Sequence, residues 1–112
     1  MNRRNNMPKA ARLTDKSECL DDSHGNICCP HHVVGEAIDG SPNVNINGLK
    51  ALRVGDKGTH SGCCGSNTWT CTEGSSTVFI NGKPAVRLND ETKHCGGTGK
   101  IITGSNNVFI GG

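Results

Sequence analysis

Val44 and Ile46 alternate with asparagines, and the same spacing returns at Val78/Ile80 and Val108/Ile110. Period-2 alternation of this kind predicts half-buried β-strands. Asn47-Gly48 and Asn81-Gly82 follow at once, and Asn-Gly accepts the positive φ angles of a two-residue hairpin turn. Return strands are predicted over residues 51–54 and 85–88. Leu52 and Val54 share one face there, as do Val86 and Leu88, while Arg53 and Arg87 take the opposite face. No segment carries a helical stripe. The Gly/Cys/His-rich stretches that follow Asp15, Asp56 and Asp90 lack periodicity, which predicts loops.

The pattern is an internal repeat. One unit opens Gly40-Ser41-Pro42-Asn43-Val44, a second Gly74-Ser75-Ser76-Thr77-Val78, and a third Gly104-Ser105-Asn106-Asn107-Val108. Arg53 and Arg87 each lie 13 residues after the opening glycine, Asp56 and Asp90 lie 16 after, and His60 and His94 lie 20 after. The N-terminal run Lys9-Ala10-Ala11-Arg12-Leu13-Thr14-Asp15 matches Lys50 to Asp56 and Pro84 to Asp90. The chain thus holds three Arg segments and three Gly-Ser segments, circularly offset. A unit this small cannot bury its own apolar face. Three of them are therefore expected to pack around a pseudo-threefold axis, as a tapered all-β body with equivalent loops converging at one end.

Composition raises the question of what holds such a body together. Of 112 residues only 32% are hydrophobic and 3% aromatic, and 16 are glycines. A short chain with so little apolar surface is marginal on core packing alone, and small scaffolds commonly need a staple. The charged fraction is 20% and the net charge +2, too balanced for a disordered chain and too weak to imply nucleic acid. Seven cysteines and five histidines are the candidate staples. The basic start Asn2-Arg3-Arg4-Asn5-Asn6 is followed by no apolar stretch, so no signal peptide is expected. Synthesis in a reducing cytoplasm then favours metal ligation over disulfides.

His60 and His94 occupy equivalent places, four residues after Asp56 and Asp90. The corresponding stretch of the first unit is longer and holds His24, His31 and His32. Cys95 adjoins His94, and Cys63-Cys64 follow His60. Imidazoles and thiolates converging from three loops suit a tetrahedral zinc, and four protein ligands make a closed, structural site. Cys19, Cys28, Cys29 and Cys71 read equally as small buried apolar side chains or as ligands. Each Arg–Asp pair is expected to clamp a turn. Taken as an exposed ion pair, each would be worth under about 1 kcal/mol. Trp69 is expected to wedge under a loop. No nucleophile elbow, P-loop or paired carboxylate motif appears. A His94–Cys95 catalytic pair and a zinc-binding adaptor remain as competing readings.

The segments Lys9-Ala10-Ala11-Arg12, Lys50-Ala51-Leu52-Arg53 and Pro84-Ala85-Val86-Arg87, with the His60…Cys63-Cys64-Gly65 and His94-Cys95-Gly96-Gly97 stretches, resemble the PAAR-repeat family over residues 8–112. Residues 1–7 read as a tail. No segment spells Pro-Ala-Ala-Arg in full, and the first loop is longer than in minimal members. The resemblance implies a small conical fold with metal-binding loops at its vertex. It implies one zinc or iron ion, held in the family commonly by three His and one Cys. Carried over here, these are His60, His94 and Cys95, with either His24 or His31. It also implies a non-enzymatic tip cap for a contractile injection spike, seated one chain per homotrimeric VgrG-like spike protein. Such a cap is made in the cytoplasm and exported on the spike tip. It would aid membrane piercing, touch the target membrane transiently and travel with effector proteins.

Overall fold

The computed structural model describes residues 7–22, 31–60, 68–94 and 96–112. His24 and Cys95 lie outside the described residues, as do Cys28, Cys29, Cys63, Cys64 and all of the tail except Met7. Among the described residues ten strands follow one another: β1 Lys16–Asp22, β2 His31–Glu36, β3 Asn45–Ile46, β4 Leu49–Lys50, β5 Lys57–Thr59, β6 Thr68–Cys71, β7 Phe79–Ile80, β8 Lys83–Pro84, β9 Glu91–His94 and β10 Thr98–Ile101. No helix occurs among the described residues.

The predicted hairpins form, but they are shorter than expected. β3 pairs with β4 and β7 with β8, two residues a side. Asn47 and Gly48 have φ of 56° and 78°, and Asn81 and Gly82 have 54° and 77°, the left-handed pair that the Asn-Gly turn requires. The third hairpin is split between the two ends of the chain. Phe109 bridges Lys9, and the Ile110 amide donates to the Pro8 carbonyl at 2.9 Å. In each unit a buried serine braces the entry, its Oγ accepting from the amides of Val44, Val78 and Val108 at 2.9 Å.

Of the expected return strands over 51–54 and 85–88, only Ala51 and Ala85 bond back to their own hairpins, donating to the Val44 and Val78 carbonyls at 2.9 and 3.0 Å; residues 52–54 and 86–88 do not. They leave those hairpins and pair with the other units. Bridges join Ala10 to Arg87, Arg12 to Ala51 and Arg53 to Ala85. Ala11 donates to the Val86 carbonyl at 3.0 Å, Val86 to Leu52 at 3.0 Å and Leu52 to Ala11 at 3.1 Å. This ring of three backbone bonds closes on itself and defines the pseudo-threefold axis. A second set, Leu13 to Lys50, Val54 to Pro84 and Leu88 to Lys9, repeats the symmetry at 2.7–2.9 Å. The hydrogen-bonding capacity of an extended segment has to be met somewhere, and for the Leu52, Val54, Val86 and Leu88 amides the acceptor lies in the neighbouring unit.

Two apolar clusters lie along the axis. Ala10, Ala51 and Ala85, all fully buried, pack with Ile46, Ile80 and Ile110. Three alanines meeting at one level leave no room for a larger side chain, which would overpack the layer. Ala11, Leu52 and Val86 pack with Ala37, Cys71, Ile101 and Trp69. Val44 and Val78 were expected to share the burial of Ile46 and Ile80, but they are 36% and 37% exposed. The β3–β4 and β7–β8 hairpins are two residues deep, so Ile46 and Ile80 reach the axis there, while in the third unit Val108 also packs against the cluster.

The stretches read as loops are the main sheet. After each Asp the chain enters a strand, and β1, β5 and β9 each pair with the strand that follows. The six run antiparallel in the order β2-β1-β10-β9-β6-β5. An Ala37–Gly58 bridge brings the free edges together, so the sheet nearly closes. Gly58 is needed at that seam, because a Cβ there would run into the Trp69 ring and stand 2.6 Å from the Glu36 carbonyl. Near-closure leaves little exposed edge to template aggregation.

Cys71 is 1% exposed, and burial pushes its thiol pKa up. It is expected to resist alkylation in the native protein and to react once the chain is denatured. Peptide mapping after iodoacetamide treatment checks this; native labelling as fast as that of a free thiol would mean the sheet opens at β6.

Candidate metal centre

Three Arg–Asp clamps set the sheet on the hairpin layer. Each Asp accepts twice from its Arg side chain and once from the Arg backbone amide: Arg12–Asp15 at 2.9, 3.1 and 2.7 Å, Arg53–Asp56 at 2.9, 2.9 and 2.8 Å, Arg87–Asp90 at 2.8, 3.0 and 2.8 Å. The hydrogen bonds to the carboxylate raise each arginine pKa. The residue before each Asp is left-handed, Thr14 at φ 74°, Gly55 at 97° and Asn89 at 72°. The turn-clamp reading holds, but these pairs are not exposed. Arg53 is 9% accessible and Asp15, Asp56 and Asp90 are 4–5%. Arg12 and Arg53 also reach the next unit's turn, through Asn47 Oδ1 at 3.0 Å and Asn81 Oδ1 at 3.1 Å.

From each clamp the strand runs outward, and alternate residues face the axis. Two residues on are Ser17, Gly58 and Thr92. Four residues on are Cys19, His60 and His94, which are 2%, 6% and 2% exposed. His60 follows β5 directly and His94 ends β9. The structure brings these two histidines together: their rings stack at 5.0 Å between centroids, 25° from parallel. Trp69, opposite His94 in the β6–β9 register, stacks on it at 6.2 Å. Trp69 is therefore a strand residue in the core, 1% exposed, and not a wedge under a loop. Gly99 makes room for the His94 ring, since a Cβ there would come within 2.8 Å of Nε2.

A short polar chain orients His94. Ser17 Oγ lies 2.9 Å from His94 Nε2 and 2.6 Å from Thr92 Oγ1. All three residues are buried, so each bond is made out of reach of competing water. A hydrogen bond at one ring nitrogen sets which nitrogen can face a metal; with Ser17 at Nε2, that nitrogen is Nδ1.

Of the other expected ligands, the backbone of His31 opens β2, opposite Asp22. That is three residues further along β1 than Cys19, beyond a bulge, or about 10 Å at the usual rise per residue. His32 is exposed and pairs with Glu18 at 2.7 Å. Among the described residues, no three His, Cys, Asp or Glu side chains form a cluster that could hold an ion. Buried soft and borderline donors beside a buried aromatic nevertheless match the chemistry of zinc or iron better than that of a hard cation. Cys19, which the sequence leaves open as a small buried side chain or a ligand, is buried and lies four residues after its Asp, as His60 and His94 do.

Residues 29–98, more than half of the chain, match the PAAR motif family. This chain belongs to that family. PAAR-motif proteins are spike-tip proteins, and the all-β body with its nearly closed antiparallel sheet is what the family leads one to expect. The matched span stops short of the first Arg segment and the third Gly-Ser segment. The pairing of Lys9 with Phe109 builds those two pieces into the third PAAR unit. No curated protein is similar enough to carry a further comparison.

Proposed function

We propose that this PAAR chain caps the blunt end of a homotrimeric VgrG-like spike, one copy per trimer, as the tip of a contractile injection apparatus. The observation that carries this reading is the closed ring of backbone bonds through Ala11, Leu52 and Val86. It makes one chain present three nearly equivalent faces, which is what a threefold partner needs from a single cap. On the far side of that ring from His60 and His94, Val44, Val78 and Phe79 are 36%, 37% and 56% exposed. Repeated half-exposed apolar positions of this kind fit a seat on another protein. The chain would be made in the cytoplasm and leave with the spike, assisting membrane piercing and carrying effector proteins with it.

In this reading a single structural metal ion, zinc or iron, pins the opposite end. His60, His94 and Cys95 hold it, with one ligand from the first unit. A closed site of this kind supplies rigidity where the strands converge and performs no reaction.

Native mass measurement of the protein mixed with its cognate spike trimer tests the cap. One chain per trimer is expected. Val78→Glu, at a half-exposed position, is expected to weaken the complex at least tenfold while leaving the circular dichroism spectrum intact. Three chains per trimer, or no complex, would rule the cap out.

A further inference from the structure

The first unit's contribution to the vertex is the one part of the metal site that the sequence left open between His24 and His31. Neither lies four residues after Asp15, the offset that His60 and His94 share from Asp56 and Asp90. Asp15, Asp56 and Asp90 sit in the same clamp, and each is followed at once by a strand. Counting outward from each clamp, the fourth residue is Cys19, His60 and His94. All three are buried. The two histidines already stack at 5.0 Å.

The register ties Cys19 to the same tier. Ser17 and Cys19 lie on one face of β1, since they are two residues apart. Ser17 Oγ touches His94 Nε2 at 2.9 Å, so the inward face of β1 meets the inward face of β9 just below Cys19. His31, beyond the bulge, stands about 10 Å further out along the strand.

We infer that Cys19, and not a histidine, is the first unit's ligand to the vertex metal, completing a threefold set of one thiolate and two imidazoles with His60 and His94. This deepens the metal reading proposed above and rests on it. The three side chains are not gathered at ligand distances as they stand; backbone register and burial are what place them together. A thiolate in a third equivalent position makes the site softer than a three-histidine one. Such a set favours zinc over harder divalent ions, and metal binding displaces the thiol proton.

Cobalt(II) is the probe, because a cobalt–thiolate bond gives a near-ultraviolet charge-transfer band that imidazole ligation lacks. The wild-type protein is expected to bind one equivalent and show the band. Cys19→Ser is expected to lose a large share of its intensity and at least tenfold in affinity. Cys19→His is expected to keep the metal with the band reduced, which a merely structural cysteine would not allow. The double variant His24→Ala/His31→Ala is expected to match the wild type in stoichiometry and spectrum. It decides the question even if Cys19→Ser fails to fold. An unchanged band in Cys19→Ser or Cys19→His, or loss of cobalt in the double variant, would overturn the inference and leave the metal reading standing. No cobalt on the wild-type protein would overturn both.

Discussion

His94→Ala is expected to remove the metal-dependent part of this protein's stability. The binding energy of a structural zinc appears directly as folding energy, on the order of 10 kcal/mol in zinc-finger peptides, and losing one of four ligands forfeits much of it. The geometry around His94 adds to the loss. Its ring stacks with both His60 and Trp69 and has Gly99 at its edge, so truncation also opens a cavity beside Trp69, the largest buried side chain among the described residues. Chelation separates the two effects. Wild-type protein stripped with a strong chelator is expected to melt at a lower temperature than the loaded form. His94→Ala is expected to melt lower still, and at the same temperature with and without chelator. A wild-type melting point unmoved by chelation, with under a tenth of an equivalent of metal by elemental analysis, would show that packing alone holds the vertex.

The threefold architecture is legible in the repeat itself. Shared offsets of Arg53/Arg87, Asp56/Asp90 and His60/His94 translated directly into three clamps and a stacked histidine pair. The Asn-Gly turns were equally plain, because left-handed backbone has few sequence solutions. The six-stranded sheet was hidden for a physical reason. The inward positions of the strands that follow the three clamps are Ser17, Cys19, Gly58, His60, Thr92 and His94, not aliphatic residues. A period-2 hydrophobic pattern cannot register when the buried face is polar or lacks a side chain. Trp69 and Cys71 on β6 are the one place where alternation shows, with Thr68 and Thr70 between them. Partnering across units was hidden too. Residues 51–54 have the pattern of a return strand, and nothing local says that beyond Ala51 the amides of Leu52 and Val54 donate to Ala11 and Pro84 instead of to their own hairpin.

The Arg–Asp pairs are more buried than an exposed ion pair, which raises the expected cost of breaking one. Arg53→Ala is expected to cost about 3–5 kcal/mol, the usual range when one partner of a buried ion pair is removed, where a surface pair would cost under about 1 kcal/mol. Arg53 is 9% exposed and Asp56 5%. Without the guanidinium, the Asp56 carboxylate keeps its bond from the Arg53-position amide but loses both side-chain donors, at 2.9 Å each. The link to Asn81 Oδ1 at 3.1 Å goes as well, and with it a tie between two units. Arg12 is more open, its side chain 17% exposed, so Arg12→Ala is expected to cost less. Arg53→Lys keeps the charge but not the fork that meets both carboxylate oxygens, and is expected to recover only part of the loss. Denaturant unfolding of the three variants, each compared loaded and chelated, gives the values. Because the clamp is four residues removed from His60, where the metal is proposed, Arg53→Ala is expected to remain sensitive to chelation, unlike His94→Ala. A loss below about 1 kcal/mol for Arg53→Ala would place the clamp among ordinary surface pairs and leave the hairpin layer and the sheet joined by the backbone ring alone.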